Sequence, residues 1–124
     1  KIHFDNGTLK NQVCNSNYKS TIRIIKNIKA KLVNSATIQS SLAPSYFIEG
    51  LMFNMPDSNF QKTSHYARVL AVLNTFYNYS DSQLEELVCQ NKQRNLFGNT
   101  NQQWSVVDCK IFRNQLIKFW NDFQ

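Results

Sequence analysis

Apolar residues recur at spacings of three and four through most of the chain, which is the period of one face of an α-helix. No segment shows the strict alternation of apolar and polar residues that is typical of a half-buried strand. The fold class predicted from this pattern is all-α, a compact bundle of about five helices with no substantial sheet. The helices are expected at about 18–34, at about 44–54, along the stripe from Tyr66 to Tyr77, from Ser82 to a point near Gly98, and from Ser105 through a stripe that ends at Phe123.

Residues that favour helix N-termini stand at the start of each predicted helix. Pro44 suits the first position of a helix, because the N–H that proline lacks would have no intrahelical partner there. Ser82 and Glu85 have the spacing of a capping box, in which each side chain bonds the other residue's backbone N–H. The remaining candidates are Asn15, Ser16 and Asn17 for the first helix, Thr63 or Ser64 for the third, and Ser105 with Asp108 for the last.

The chain of 124 residues has the length of one domain. Residues 1–16 hold an Asn6-Gly7 turn signal and scattered polar side chains, so they are expected to form an irregular lead-in. Residues 17–124 are expected to form a single helical domain. Because 42% of the residues are hydrophobic and 13% are aromatic, there is enough apolar surface for a real core.

Positive charge is concentrated in the first half of the chain. Residues 1–62 hold eight Lys or Arg against three acids, whereas residues 63–124 hold six against five. In the first predicted helix Lys19, Arg23 and Lys26 recur on one face, and the apolar residues recur on nearly the opposite face. One face is therefore expected to enter the core, and the other to form a cationic ridge that attracts a triphosphate or a nucleic acid.

Three widely spaced cysteines, Cys14, Cys89 and Cys109, are odd in number and belong to no C-x-x-C or Cys/His pattern. They indicate reduced thiols and a cytoplasmic protein rather than disulfides or a zinc site. The chain has no apolar run long enough to span a bilayer, so no membrane partner is expected. Its three glycines form no phosphate-binding loop, and paired carboxylates for catalytic metals are nearly absent. The chain by itself is therefore not expected to be a catalyst.

Three residues have the chemistry to bind a nucleotide together. Lys26 can make charge-assisted hydrogen bonds to phosphate oxygens. Ser45 lies in the first turn of the helix that Pro44 begins, where its hydroxyl and unpaired N–H groups meet the positive end of the helix dipole. Tyr46 can stack on a base. Each residue also has an ordinary interpretation, as a solvated lysine, a helix-start serine and a core tyrosine whose hydroxyl is satisfied.

Two stretches and two late motifs carry a resemblance to a known family. They are residues 18–28 (YKSTIRIIKNI), residues 43–56 (APSYFIEGLMFNMP), Leu96-Phe97-Gly98 and Gln103-Trp104. Together they resemble the C-terminal helical region of nucleotidyltransferases, in a superfamily that includes bacterial cyclic-oligonucleotide synthases, oligoadenylate synthase and animal cyclic GMP-AMP synthase. The most specific part is the helix that begins with Ser-Tyr and ends in Asn-x-Pro.

In that superfamily the catalytic domain is a mixed α/β palm whose Gly-Ser turn and Asp-x-Asp pair bind magnesium, and the helical half closes over a nucleoside triphosphate. The resemblance implies that Lys26 approaches the phosphates, that Ser45 binds phosphate, and that Tyr46 stacks on the base, with Lys19 as a further phosphate contact. It also implies a preceding palm domain, from which residues 1–16 would lead, a nucleoside triphosphate as substrate, and magnesium bound only with that palm. Antiphage signalling is a role that the resemblance suggests.

The chain itself departs from the superfamily's pattern, since it contains no Gly-Ser turn and no Asp-x-Asp pair. It is therefore expected to be part of a nucleotidyltransferase that is not catalytic alone. Two other interpretations stay open. One is a stand-alone basic helical module whose ridge binds nucleic acid or an acidic protein. The other is a purely structural helical domain whose charge is incidental.

Overall fold

The computed structural model describes residues 2–14, 16–90, 92 and 94–123. Within these ranges the chain forms six α-helices and two short 3-10 turns, with isolated bridges but no extended strand. The predicted all-α fold class is confirmed. None of the described helices is both long and apolar enough to cross a membrane. The helices are α1 (Ile2–Val13), α2 (Asn17–Asn34), α3 (Ser45–Phe53), α4 (His65–Asn78), α5 (Asp81–Glu85) and α6 (Val106–Asp122), and the 3-10 turns are Ser40–Leu42 and Asp57–Phe60.

Helix α2 lies at the centre of the bundle and contacts α1, α3, α4 and α6. Its bounds confirm the first predicted helix, and its apolar face enters the core as expected. Ser16 precedes it in a left-handed conformation, with a φ of 65°, and makes no side-chain cap. The cap expected from Ser16 is therefore absent, and Asn15 lies outside the described residues. The buried apolar side chains of the helix are Tyr18, Ile22, Ile25, Ile28 and Leu32.

The irregular lead-in expected for residues 1–16 was wrong, because residues 2–13 form the helix α1. Among the described side chains of α1, Lys10 reaches the core, whereas the apolar Leu9 and Val13 are exposed, so this part of the helix has no apolar stripe for a sequence pattern to detect. The Nζ of Lys10 donates to the backbone oxygen of Met55 at 2.8 Å and to the carboxylate of Asp57 at 2.6 Å. The same Nζ lies near three aromatic rings, at 5.5 Å from the ring centroid of Tyr18, 5.8 Å from that of Phe53 and 5.3 Å from that of Phe60.

The structure confirms the predicted starts of α4 and α6, and α3 begins one residue later than predicted. The hydroxyl of Ser64 accepts the N–H of Ala67, and the hydroxyl of Ser105 accepts the N–H of Asp108, so both caps are confirmed. Pro44 stands just before α3 instead of at its first position. Its carbonyl still accepts the first N–H groups of the helix, so proline fixes the entry of the chain as the sequence indicated.

The fourth predicted helix was wrong in both its start and its length. The capping box is formed by Ser80 and Gln83 instead of Ser82 and Glu85, and α5 ends at Glu85. Beyond it the backbone hydrogen bonds are not helical: the N–H of Val88 donates to the side chain of Asn54, and the N–H of Leu96 donates to the carbonyl of Leu87. The described residues of 86–104, which exclude 91 and 93, therefore form no further helix, and we call them the irregular segment.

Trp104 is the largest buried side chain of the core. Its ring stacks on Phe97 at 5.5 Å and on Phe47 at 5.7 Å, and it packs at a tilt on Phe112 at 6.2 Å. Its indole N–H donates to the carbonyl of Leu42 at 3.0 Å, which satisfies the one polar group of the ring. Trp104 thus joins the irregular segment to α3, to α6 and to the first 3-10 turn.

Some members of the predicted apolar stripes face solvent, and neighbouring positions of the same helices are buried in their place. All three cysteines are buried free thiols, as expected for reduced cysteines. The exposed members of the stripes are Tyr66, Leu70, Tyr77 and Phe123, and the buried positions that the stripes omitted are Val72 and Cys109.

Candidate functional site

A groove of about 420 Å³ lies where α2 passes the middle of α3. Three cationic side chains of α2 border it, and they are the members of the predicted cationic ridge. We call it the basic groove. Its lining residues are Gly7, Tyr18, Lys19, Ile22, Arg23, Lys26, Glu49 and Gln90.

One carboxylate enters the basic groove, and it pairs with one of the three cations. Lys26 donates to Glu49 of α3, and the two side chains are 31% and 38% exposed. An ion pair this accessible contributes at most about 1 kcal/mol, so an anion of higher charge can compete for Lys26. Among the described residues, no carboxylate pairs with Lys19 or Arg23, and both side chains are exposed. The groove therefore offers cationic side chains to an incoming anion.

The crowding of cations extends one turn along α2. The pKa of Lys29 is lowered from its usual value, first because of burial and second because of the positive charge of Lys26. Burial also raises the pKa of Tyr18 at the floor of the groove, and the charge of Glu49 adds to this effect. The Tyr18 hydroxyl donates to the side-chain oxygen of Gln90 at 3.5 Å.

A second hollow, of about 340 Å³, lies beside the first turn of α3. We call it the aromatic hollow. Tyr46 is 49% exposed and presents its ring here, so it is not the core tyrosine of the ordinary interpretation. The pKa of its hydroxyl is raised by burial and by a hydrogen bond with the thiol of Cys89, and the charge of Arg94 opposes this rise. The residues that line the hollow are Pro44, Tyr46, Phe47, Arg94, Asn101 and Gln102.

Helix α3 connects the basic groove to the aromatic hollow. Tyr46 and Glu49 are three residues apart, so they lie on the same face of the helix, one in each depression. Ser45 is the first residue of α3 and is exposed, but it lines neither depression. The structure thus brings Lys19 and Lys26 together in the basic groove and places Tyr46 in the aromatic hollow. Ser45 precedes Tyr46 at the start of α3.

Among the residues that border these depressions, Arg23, Glu49, Gln90 and Arg94 were not predicted from the sequence to contact the nucleotide. Arg23 was predicted only as a member of the cationic ridge, midway between Lys19 and Lys26 on the same helical face. Glu49 carried a signal, as the single acid of α3. Gln90 and Arg94 carried none, because they lie in the irregular segment, where no period places a side chain.

The described residues contain no group of three or more His, Cys, Asp or Glu side chains that could hold a metal ion. Magnesium prefers carboxylate oxygens, and the one carboxylate in the basic groove is engaged with Lys26. The donor set around the two depressions therefore does not fit a magnesium ion. What the arrangement offers instead is cationic groups for phosphate and an aromatic face for a base.

Residues 5–121 match the sequence profile of the cGAS/DncV-like nucleotidyltransferase C-terminal helical domain. The chain belongs to this family. It is 41% identical over 123 residues to the cyclic nucleotide synthase CdnE01 of Staphylococcus haemolyticus, and the match covers 99% of this chain and 41% of that protein. It is 38% identical over 120 residues to the cyclic UMP-AMP synthase of Rhodothermus marinus, with 97% of this chain and 40% of that protein covered.

Two solved structures share the fold. The Rhodothermus marinus CdnE c-UMP-AMP synthase, solved with Apcpp and Upnpp, superposes with a TM-score of 0.90 at 37% identity, and covers 98% of this chain and 40% of its own. The Elizabethkingia meningoseptica CdnE cyclic dinucleotide synthase, solved with GTP and Apcpp, superposes with a TM-score of 0.82 at 24% identity. The match covers 98% of this chain and 43% of that one, and at this identity it shows the fold alone. The chain thus spans about two fifths of the length of these relatives.

Proposed function

We propose that this chain is the part of a cyclic nucleotide synthase that closes over a nucleoside triphosphate and holds it. The observation that carries the proposal is the position of α3 between a groove lined by three cations and a hollow with an exposed tyrosine ring. A triphosphate and a base are the two ends of one ligand, and these two depressions offer one chemistry to each end.

The phosphates would lie in the basic groove. Lys19 and Arg23 supply charges without a carboxylate partner among the described residues, and Lys26 would exchange Glu49 for a phosphate oxygen. Ser45, at the start of α3, would add its hydroxyl and the positive end of the helix dipole. Charge-assisted hydrogen bonds of this kind are about twice as strong as neutral ones.

The base would lie on Tyr46 in the aromatic hollow. Stacking of a base on an aromatic ring is worth about 1–3 kcal/mol and tolerates every base. The Tyr46 ring packs at a tilt on the ring of Phe47, with 5.8 Å between the two ring centroids, and the residue stays 49% exposed to receive a base.

Catalysis would come from a preceding palm domain of the same protein, which would also supply the carboxylates for magnesium. The relatives support this division, because the chain covers only about two fifths of a cyclic nucleotide synthase. Production of a cyclic nucleotide by the whole protein, a role in antiphage signalling and a cytoplasmic location belong to the same proposal.

Titration calorimetry of the 124-residue chain with ATP, at low salt and without magnesium, tests the binding role. Tyr46→Ala should weaken ATP binding by about 1–3 kcal/mol while leaving the thermal unfolding midpoint nearly unchanged, because the ring is half exposed. Tyr77→Ala is the matched control, since Tyr77 is an exposed tyrosine of α4 that lines neither depression. Equal affinities for the two variants would contradict stacking on Tyr46.

A nucleic acid is the alternative ligand of the basic groove, favoured by the unpaired cations Lys19 and Arg23. Binding of a single-stranded RNA would weaken steeply as salt rises, with a slope set by the number of phosphates contacted. If RNA binds tightly and Tyr46→Ala does not affect ATP, the groove serves a polynucleotide instead of a triphosphate.

A further inference from the structure

The aromatic hollow contains polar side chains that base stacking does not use. Arg94, Asn101 and Gln102 all come from the irregular segment and face the hollow in which Tyr46 presents its ring. Stacking on tyrosine is the same for every base, so any selectivity must come from such groups at the rim. The hydrogen bond between Arg94 and Gln102 determines which donors and acceptors the rim presents to a base.

Arg94 and Gln102 are hydrogen-bonded to each other. A guanidinium Nη1–H of Arg94 donates to the side-chain oxygen of Gln102. Arginine has donors and no acceptor, so the atom of Gln102 that faces it must be the oxygen. The amide nitrogen of Gln102 is left with its two N–H donors, and the guanidinium keeps further N–H groups as well. This pair therefore presents mainly donors.

The two residues of this pair are held on an ordered piece of backbone. The carbonyl of Arg94 accepts the N–H of Cys89 at 2.9 Å. Next to Gln102, the amide of Gln103 donates to the carbonyls of Asn95 and Phe97 at 3.2 and 3.3 Å. Both ends of the rim are thereby tied to the rest of the irregular segment.

We infer that the Arg94–Gln102 pair selects bases with a carbonyl at C6 of a purine or C4 of a pyrimidine, namely guanine, hypoxanthine and uracil, over adenine and cytosine, which carry an amino group there. A carbonyl on the base edge would accept a hydrogen bond from the pair, whereas an exocyclic amino group would meet donors and stay unsatisfied. Asn101 can turn either its oxygen or its nitrogen to the base, so it does not set the preference. The inference rests on the proposed function, because it concerns the base end of the same ligand.

Two pairs of nucleotides isolate this effect. ITP carries a carbonyl at the position where ATP carries an amino group, and UTP differs from CTP in the same way. In titration calorimetry, the 124-residue chain should bind ITP more tightly than ATP, and UTP more tightly than CTP, by about 3- to 10-fold, the range expected for one hydrogen bond gained and one unsatisfied group avoided. Equal affinities within each pair would overturn the inference.

Variants of the rim assign the selectivity to the named residues. Arg94→Ala should bring the ratio of ITP to ATP affinity and the ratio of UTP to CTP affinity to about one. Gln102→Glu should shift both ratios towards ATP and CTP, because a carboxylate offers an acceptor. Asn99→Ala is the matched control, an exposed amide of the same segment that does not line the hollow, and it should leave both ratios unchanged. Ratios that persist in Arg94→Ala would also overturn the inference.

The two proposals fail in distinguishable ways. If no nucleotide binds, or if Tyr46→Ala leaves every affinity unchanged, the proposed binding role fails and takes the base preference with it. If all four nucleotides bind equally and Tyr46→Ala weakens them all, the binding role stands and only the base preference is overturned. Circular dichroism of Arg94→Ala and Gln102→Glu should match the parent chain, because both side chains are exposed.

Discussion

Helix α2 and the irregular segment 86–104 both pack against α3 and both line the candidate site, but they are held in different ways. Helix α2 places its cations by helical period alone, with the opposite face buried in the core. The irregular segment has no period. Its side chains are placed by hydrogen bonds from Asn54, by contact with Gly50 and by stacking of Phe97 on Trp104.

The difference has an energetic consequence. In a helix most backbone hydrogen bonds are internal, so a surface substitution on α2 leaves the backbone in place. The backbone of the irregular segment is joined by non-helical hydrogen bonds within the segment, and at Val88 it depends on Asn54, so a substitution outside the segment can release it there. The base end of the site should therefore be more sensitive to core substitutions than the phosphate end.

The largest expected effect follows from the removal of Trp104. Trp104→Ala deletes a fully buried ring that touches Phe47, Phe97 and Phe112, so it should lower the free energy of unfolding by about 3–5 kcal/mol. Urea denaturation measures this loss. Ile28→Val in the buried stripe of α2 is the comparison and should cost only about 0.5–1.5 kcal/mol. Similar losses for the two variants would remove the contrast between the regions.

Asn54→Ala should release the irregular segment from α3. The Asn54 amide donates to the carbonyls of Gly50 at 2.7 Å and Val88 at 2.6 Å, and its oxygen accepts the N–H of Val88 at 3.1 Å. Two main-chain groups of Val88 would lose their partner, at a cost of about 2–3 kcal/mol. Hydrogen exchange should rise at Val88 and Leu96 and stay low in α2.

Asn78→Ala is the control for this substitution. Its amide bonds the carbonyl of Asn74 at the exposed surface of α4, so the loss should be at most about 0.5 kcal/mol. If Asn54→Ala costs no more than Asn78→Ala, the segment is held by something other than the asparagine.

The difference between local contacts and contacts between distant parts of the chain also explains what could be predicted from the sequence. The period of α2 gave the buried and cationic faces, and hence Lys19 and Lys26, because both are set by residues near one another in the chain. Local capping chemistry likewise predicted the serine starts of α4 and α6. Arg94 and Gln102 could not be found this way, since they reach Tyr46 only through contacts between distant parts of the chain.

Helix α1 is a second element that the local sequence pattern did not predict. It is helical, yet it was expected to be irregular, because among its described side chains the inward group is Lys10 and the apolar Leu9 and Val13 are exposed. The helix runs through Asn6-Gly7, so that turn signal did not decide the local structure, and tertiary context often overrides propensity.

Gly50→Ala should have a smaller effect, at the contact between α3 and the irregular segment. A Cβ at this position would lie 2.8 Å from Cδ1 of Leu96, a fully buried side chain. The overlap costs about 1–3 kcal/mol, and alanine's better helix propensity offsets up to about 1 kcal/mol, so a net loss of about 1 kcal/mol is expected. Chemical denaturation again provides the measurement.

The double variant Gly50→Ala/Leu96→Val tests the mechanism of that loss. Valine lacks the methyl groups at the δ position that the new Cβ would meet, so the two substitutions together should cost less than the sum of their separate effects. Strict additivity would mean that Gly50 is needed for another reason.

The smallest expected effect is at the phosphate end. Arg23 is exposed and has no carboxylate partner in the described part of the chain, so Arg23→Ala should change the free energy of unfolding by less than about 0.5 kcal/mol. ATP affinity should still fall, by about 0.5–1 kcal/mol at low salt and less at high salt, because an exposed charge contact is screened. Lys31→Ala, an exposed cation in the last turn of α2 that does not line the basic groove, should leave ATP affinity unchanged. If both variants weaken ATP equally, the helix attracts phosphate through its total charge, and the basic groove holds no defined phosphate position.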